Sequence, residues 1–368
     1  MNPNGQARQP RQSLEQAIVT IEPGRRAAGD LAFLGVGMPA AHMLQIRDVL
    51  AVAAAGVGVW AAEYTRDAYV TAALFADLPA PVIGTAVAQA FPRSPLVTAH
   101  AALDIDELSG GRFALGLGSQ VARANRNWHG IDADHPVQRL TDYVRALRAA
   151  FTALNGGEAS FESQYYRFNL RGRVRTPTAG RTPPIYLAAV QSGMARAAGA
   201  VADGLIGHML ATPDFLHQEL LPAARAGAQD AGRSGDRFEV LLYRCCVPSD
   251  TAPEAEQDAR RQVGFYAATK TYFPALAAMG FARQAEHAQR ALADSRFDDL
   301  AKAVDDSMLQ AFAVVGTTDQ CIAQLPRVGA GLDRLLLFPP YLNVGPDRLR
   351  DYHEAVLAVL VGYLNAAG

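Results

Sequence analysis

Hydrophobic and polar residues follow a repeating unit along this chain, in which a short apolar run bounded by turn residues precedes a longer segment with helical spacing. The unit occurs eight times. The apolar runs predict strands over Leu31–Gly37, Gly58–Ala62, Pro81–Ala88, Arg112–Gly116, Ile185–Ala189, Gly204–His208, Phe238–Val247 and Asp333–Leu337. The intervening segments predict helices.

Helical spacing is clear in the segment that begins at Pro136, a residue type suited to the first turn of a helix. Val137, Leu140 and Val144 follow at intervals of three and four, which places their side chains on one face. The segment from Leu349 to Tyr363 repeats this spacing. Each apolar face predicts a helix that packs on a core.

Strands that alternate with helices favour a parallel sheet, because parallel neighbours need a crossover connection. Eight units fit a closed (β/α)8 TIM barrel, although a doubly wound open sheet has the same periodicity. Such a barrel needs about 250 residues, so we expect a flexible leader over residues 1–28 and two insertions. Phe161–Arg173, after strand 4, predicts a hairpin, and Pro253–Leu309, after strand 7, predicts helices. Residues 29–368 show no linker, which predicts a single barrel domain.

The composition argues against several classes of protein. Of 368 residues, 50% are hydrophobic, and 34 basic against 36 acidic residues give a formal net charge of −2. We therefore expect no nucleic-acid partner. The apolar runs end before the roughly 18–20 residues that span a bilayer, and no secretory signal is present. With three cysteines and no disulfide framework, the sequence predicts a soluble cytoplasmic protein without a membrane partner.

In a parallel barrel, functional residues come from the loops that follow the strands. The loop after strand 2 brings together Glu63, Tyr64, Arg66 and Asp67. These side chains could hold and protonate a ligand, or they could equally form a salt-linked helix start. Strand 3 ends in small residues around Ala86, which would let a flat ligand approach or would only allow close packing.

Two later loops carry signals for an anionic group. After strand 4, two glycines fall short of the phosphate-binding GxGxxG motif, but the guanidinium groups of Arg123 and Arg126 match phosphate and carboxylate geometry. After strand 5, Val190–Gly193 leads into a helix whose free backbone N–H groups can bind phosphate. An ordinary N-cap by Ser192 explains the same residues.

Other chemistries lack their motifs in this sequence. There is no HExxH, no P-loop and no nucleophile elbow. His129 and His135 flank Asp132 and Asp134, but a solvated loop explains this pattern better than a metal site does. We expect no bound metal.

Several sequence blocks follow one another in a distinctive order: Val57–Asp67, Ile83–Val87, Phe91–Pro95, Leu108–Val121, Pro184–Ala189, Ala202–Gly204, Phe265–Tyr266, Ala313–Thr317 and Asp333–Leu337. Together they resemble the bacterial luciferase-like superfamily, and in particular its coenzyme F420-dependent oxidoreductases. The resemblance covers about Leu31 to Tyr341. It implies an eight-stranded barrel, usually dimeric, with a flavin or deazaflavin ring at the C-terminal mouth.

The resemblance also implies a cofactor site. Glu63 would contact the pocket of the ring, and Ala86 and Val87 would form a bulge in strand 3, where family members often have a non-proline cis peptide bond. The other implied cofactor-binding residues are Ser119, Gln120, Arg123, Asn125, Ala189, Val190, Gln191, Ser192 and Gly193.

At two positions this sequence differs from the deazaflavin-dependent sugar-phosphate dehydrogenases of the superfamily. Tyr64 stands where those enzymes carry a catalytic histidine, and Val121 stands where they carry a catalytic glutamate. A sugar-phosphate substrate is therefore disfavoured. Tyr64, aided by Arg66, would instead orient a small-molecule substrate and donate a proton; a packing role for Tyr64 is the alternative.

The predicted function is hydride transfer between coenzyme F420 and a small organic substrate. Tyr165 and Tyr166 of the hairpin, together with Phe265 and Tyr266, are expected to roof the pocket and exclude water. Two alternatives remain open, namely an FMN-dependent monooxygenase that uses reduced flavin and oxygen, and a non-catalytic flavin-binding protein. The resemblance also predicts a homodimer.

Overall fold

The structure is a computed structural model of the chain, and it describes residues 30–33, 39–53, 56–158, 160–171, 180–233, 237–249 and 252–366. The predicted leader, residues 1–28, and the end of the predicted first strand, residues 34–37, lie outside the described residues. The strands are β1 (Asp30–Phe33), β2 (Val59–Ala61), β3 (Ile83–Gln89), β4 (Phe113–Gly118), β5 (Ser160–Glu162), β6 (Arg167–Asn169), β7 (Ile185–Ala189), β8 (Gly204–Gly207), β9 (Glu239–Pro248), β10 (Ala313–Gly316) and β11 (Arg334–Phe338).

Within the described residues, all strands except β5 and β6 form one sheet, in the order β10-β9-β11-β1-β2-β3-β4-β7-β8. Every pairing in this sheet is parallel, and β8 also pairs with β9, which closes the sheet into a ring. Eight strands form the ring, while β10 pairs only with the C-terminal half of β9. The predicted TIM barrel is confirmed.

Helices follow the barrel strands, as the periodicity predicts. They are α1 (Ala40–Ala53), α2 (Ala68–Leu74), α3 (Pro95–Leu108), α4 (Ala122–His129), α5 (Pro136–Leu154), α6 (Ser192–Val201), α7 (Pro213–Phe215), α8 (Leu221–Asp230), α9 (Ala252–Ala267), α10 (Phe273–Ala278), α11 (Ala282–Ala293), α12 (Asp299–Lys302), α13 (Asp306–Phe312), α14 (Thr318–Val328) and α15 (Pro346–Ala366). A π-helical turn, Leu216–Leu220, joins α7 to α8, and a 3-10 turn, Lys270–Tyr272, precedes α10. As predicted, Pro136 occupies the first turn of α5.

Two differences from the predicted strands shape the barrel mouth. β4 continues to Gly118 instead of ending at Gly116, because its last residue still pairs with Gln89 at the end of β3. β10 is absent from the predicted strands, because its apolar residues continue directly from the apolar end of α13 at Phe312. The hydrophobic period alone does not separate the helix from the strand that follows it.

Both predicted insertions are present in the described part of the chain, although the end of the first, residues 172–173, lies outside it. β5 and β6 form an antiparallel hairpin after β4 and α5, with Phe161 paired to Phe168 and their rings stacked at 5.9 Å between centroids. The second insertion lies between β9 and β10 and contains α9 to α13. Its helices bring aromatic side chains to the C-terminal ends of the strands.

A buried carboxylate joins the N-terminal ends of three strands. Asp30 is fully buried and accepts hydrogen bonds from the Gly58 N–H and the Trp60 Nε1–H, both at 2.8 Å. Its second oxygen also lies 3.0 Å from Nη1 of Arg334 at the start of β11. We call these four residues the basal network; it ties β1, β2 and β11 together at the end of the barrel opposite the mouth.

Candidate active site

The end of β2 is hydrogen-bonded to the end of β3 through Glu63. The Glu63 N–H donates to the Val87 carbonyl at 3.1 Å, and Oε2 of Glu63 accepts the Gln89 N–H at 2.5 Å. Burial raises the pKa of the Glu63 carboxyl, and the negative charge of Asp67 adds to this effect; the Gln89 N–H and Arg93 oppose it. The predicted ring-pocket residue therefore lies against the strand that was predicted to carry the bulge.

β3 has an irregular backbone next to Glu63. Its register against β4 shifts between Thr85 and Ala88, and the Ala86–Val87 peptide bond is cis. The bulge and the cis bond expected from the resemblance are both present. The Tyr243 hydroxyl donates to the Ala86 carbonyl. A Cβ on Gly118 would come within 2.7 Å of Cγ2 of Val87, so only glycine fits beside the bulge.

The loop after β4 holds a buried amide with an unused acceptor. The side chain of Asn125 is completely buried; its Nδ2 donates to the Ser119 carbonyl at 2.8 Å, whereas its Oδ1 has no hydrogen-bond partner. Gln120 adopts a positive φ of 54° and accepts the Val121 N–H through its own side chain. Arg123 is exposed and makes no hydrogen bond or ion pair with the residues that the structure describes. This loop therefore holds one buried acceptor without a partner and one exposed cation.

The predicted segment Ala189–Gly193 lies at the end of β7 and the start of α6. The alternative of an N-cap by Ser192 is wrong, because Gln191 is the N-cap residue and makes no side-chain cap. Its side chain instead donates to the Thr271 carbonyl at 2.8 Å. Within the described part of the chain, the backbone N–H groups of Ser192 and Gly193 have no hydrogen-bond acceptor. This helix start can therefore receive an anion.

Tyr64 faces outward at the mouth of the barrel. Its side chain is 37% exposed, and its ring lies 6.0 Å from Trp128 and 5.5 Å from Tyr341 between centroids. Arg66, two residues further along the same loop, is half-buried. Asp67 caps α2, accepting the N–H groups of residues 69 and 70. The loop thus contains the predicted helix start and, beside it, an accessible phenol.

The mouth contains further aromatic residues that the sequence patterns singled out only in part. Tyr266 was predicted to roof the pocket, and its hydroxyl lies 2.8 Å from that of Tyr341. His208, directly after β8, contacts the Tyr266 ring at 4.8 Å. Tyr166 of the hairpin, which was also predicted to roof the pocket, packs against Tyr143 of α5, with 5.3 Å between the ring centroids. The sequence analysis did not select His208 as a site residue, although its position at the end of a predicted strand could have indicated it.

The described residues form neither a cluster of metal ligands nor a membrane-spanning helix. They contain no group of three or more His, Cys, Asp or Glu side chains placed to hold a metal ion. None of their helices has the length and apolarity required to cross a membrane. Near the pair of histidines considered above, Asp132 instead accepts from Arg126 at 3.1 Å.

Comparison with known proteins identifies relatives of the whole barrel. An uncharacterized protein of Mycobacterium tuberculosis is 32% identical over 290 residues, which cover 76% of this chain and 84% of that protein. The coenzyme F420-dependent tetrahydromethanopterin reductase of Methanopyrus kandleri has a similar structure, with a TM-score of 0.72, 21% identity, and coverage of 90% of this chain and 98% of that one.

A flavin enzyme has the same fold. The oxygenating constituent of 3,6-diketocamphane monooxygenase from Pseudomonas putida, solved in complex with FMN, superimposes with a TM-score of 0.58 and 15% identity over 90% of this chain and 97% of that one. The sequence profile described as "Luciferase-like monooxygenase" matches residues 33–334. Members of this group are oxidoreductases or monooxygenases that use F420 or flavin. The chain described here belongs to the luciferase-like monooxygenase family.

Proposed function

We propose that this protein is a coenzyme F420-dependent oxidoreductase that transfers a hydride between the deazaflavin and a small organic substrate. The observation that carries the proposal is the set of polar groups at the mouth without protein partners: the Asn125 Oδ1, the Arg123 guanidinium and the N–H groups of Ser192 and Gly193. Asn125 is the buried member of this set, and because buried polar groups in folded proteins nearly always have partners, its unpaired Oδ1 points to a ligand. The Arg123 guanidinium and the first N–H groups of α6 are exposed and stand ready for an anionic group.

The chemistry of these groups fits a cofactor with a polar ring and an anionic tail. The start of α6 and Arg123 suit phosphate and carboxylate groups. Asn125 supplies a buried acceptor for a ring N–H, and Glu63 and Val87 would lie beside the ring. F420 has a more anionic tail than FMN, so the free cation at Arg123 favours F420. The F420-dependent reductase of Methanopyrus kandleri supports the same choice.

When bound, F420 supplies a carbon centre that gives or accepts a hydride and reacts poorly with oxygen. Tyr64 would orient the substrate oxygen and hold the proton on its own Oη, donating it during reduction or receiving it during oxidation. Arg66 would fix the orientation of the substrate beside Tyr64. Tyr266 and Tyr341 would cover the reacting atoms and exclude water.

Titration with F420 and, separately, with FMN tests this proposal, with the intrinsic fluorescence of each compound as the signal. We expect F420 to bind at least about tenfold more tightly than FMN. Tighter binding of FMN, together with oxygen consumption in the presence of reduced FMN, would instead support the monooxygenase alternative. Binding of both cofactor and substrates without turnover would support the non-catalytic alternative.

Two arginines of α4 provide a matched pair of variants. Arg123→Gln should weaken F420 binding several-fold, because it removes a cation that has no partner among the described residues. Arg126→Gln should change it little, since Arg126 already pairs with Asp132. Equal effects of the two substitutions would contradict the role assigned to Arg123.

A further inference from the structure

Six rings form a continuous chain of contacts across the mouth of the barrel. We call this set the aromatic wall, and its members are Trp128, Tyr64, Tyr341, Tyr266, His208 and Tyr272. The ring centroids lie 6.0 Å apart for Trp128 and Tyr64, and 5.5 Å apart for Tyr64 and Tyr341. The hydroxyls of Tyr341 and Tyr266 lie 2.8 Å apart. The ring of His208 lies 4.8 Å from that of Tyr266 and 4.5 Å from that of Tyr272, again between centroids. They come from separate segments of the chain, so only the folded barrel assembles them.

The wall is attached to the candidate cofactor site at two points. Tyr64 directly follows Glu63, which is hydrogen-bonded to both Val87 and Gln89. Trp128 directly precedes His129, whose Nε2 lies 2.9 Å from Oε1 of Gln89. A molecule that contacts Tyr64 and Trp128 would therefore lie next to the end of β3.

One end of the wall is accessible to solvent. Trp128 is 56% exposed and touches Tyr64, which is also exposed, whereas Tyr341 behind them is buried. Large rings in contact with each other at the surface commonly mark a binding site. Because this exposed pair adjoins the site described above, the expected occupant is the substrate.

The wall carries no formal charge at neutral pH. Burial, helped by the nearby Arg244, lowers the pKa of His208 to about 3, and burial raises the pKa of the Tyr266 and Tyr341 hydroxyls. Nδ1 of His208 accepts the Leu210 N–H at 3.2 Å, so the neutral ring carries its proton on Nε2. The six rings offer hydroxyl and N–H donors but carry no positive charge of their own, so an anionic ligand packed against them loses hydration without gaining an ion pair from the wall.

We propose that the aromatic wall selects the substrate, and that this substrate is an uncharged planar aromatic molecule with an oxygen that accepts a hydrogen bond. Trp128 is the specificity-determining residue at the open end. The inference rests on the proposed function, because the substrate must lie beside the cofactor at the end of β3.

Three small ligands separate the features that the wall should recognise: acetophenone, cyclohexyl methyl ketone and benzoate. The second keeps the ketone but lacks the aromatic ring, and the third keeps the ring but carries a charge. Dissociation constants are measured by competition in saturation-transfer NMR, on the protein with and without F420. We expect acetophenone to bind at least about tenfold more tightly than either of the others. Equal binding of the three ligands would overturn the proposal.

Substitutions at Trp128 locate the binding. Trp128→Leu should weaken acetophenone binding about fivefold to tenfold, whereas Trp128→Phe, which keeps an aromatic ring, should retain most of it. Val97→Ala, at another exposed apolar residue, should have no effect. The Kd for F420 should be the same in all variants.

Three results would contradict the role of the wall. Unchanged acetophenone binding in Trp128→Leu would contradict it. Conversion of a dimer to monomers by the same substitution, without a change in ligand binding, would also contradict it. Enhanced binding of benzoate relative to acetophenone would contradict its selection against charge. Absence of F420 binding to the unaltered protein would contradict the proposed function instead, and the ligand series without F420 would still test the wall.

Discussion

The two ends of the barrel differ in whether their buried polar groups have hydrogen-bond partners. In the basal network, the fully buried Asp30 has two N–H donors and a guanidinium as partners. At the mouth, the buried Asn125 keeps an acceptor without a partner, and the start of α6 exposes two N–H groups that have no acceptor among the described residues. An unpaired buried polar group costs free energy, so the fully paired Asp30 is expected to stabilise the fold, while the unpaired acceptor of Asn125 supports the ligand site proposed at the mouth.

Asp30→Ala should have the largest effect on stability. It leaves the Gly58 and Trp60 N–H groups and the half-buried Arg334 without their acceptor, which should lower the free energy of unfolding by about 3–5 kcal/mol. Urea denaturation measures this change, and Asp77→Ala serves as the control. Asp77 pairs with Arg47 while 69% exposed, so its removal should cost less than about 1 kcal/mol. Similar losses would contradict the role of the basal network.

Tyr64→Phe should have the next largest effect. It should lower turnover and leave stability unchanged. The phenylalanine keeps a ring beside Trp128 and Tyr341 but lacks the hydroxyl, so we expect kcat to fall by roughly 10²-fold, as for loss of a general acid. The Kd for F420 should stay the same in fluorescence titration. Tyr363→Phe, in α15, is the matched control. Unchanged turnover in Tyr64→Phe would remove its hydroxyl from the mechanism.

Glu63→Gln should have the smallest effect and should depend on pH. Burial raises the pKa of Glu63 above its usual value near 4.5, so the folded protein binds this proton more tightly than the unfolded chain does. The free energy of unfolding should therefore fall as pH rises above about 4.5, until Glu63 ionises in the folded state too. Glutamine still accepts the Gln89 N–H but carries no charge, so the variant should lack this fall.

Urea denaturation between pH 4 and 7 measures the difference between Glu63→Gln and the unaltered protein. This difference should grow in favour of the variant as pH rises. The same substitution at the exposed Glu162 of the hairpin should give no such trend. A difference that is independent of pH would show that Glu63 is not perturbed by burial.

Local signals account for much of what the sequence predicted. Pro136 and the apolar spacing after it indicate α5, and apolar runs followed by helical segments indicate the barrel. The resemblance added the bulge at Ala86 and Val87. β10 is missed because its apolar residues continue from a helix, and the capping role of Ser192 is wrong because Gln191 takes the N-cap position.

The aromatic wall depends on tertiary structure, and this explains why the sequence revealed so little of it. Tyr341 and Tyr64 are far apart in the chain, and no local period relates one to the other. The hairpin shows the same limit, since its aromatic residues indicate contact with other rings but do not indicate that Tyr166 packs on Tyr143 of α5. Which helix a side chain meets is decided by packing between elements, and a single sequence contains no direct record of it.

The positions of the two tryptophans give the protein a pair of natural optical probes. Trp60 is fully buried and donates to Asp30 at one end of the barrel, whereas Trp128 is exposed at the other. An indole in a rigid apolar environment emits at shorter wavelength than one in water. The blue side of a single emission spectrum would therefore follow the integrity of the barrel base, while the red side would follow events at the mouth.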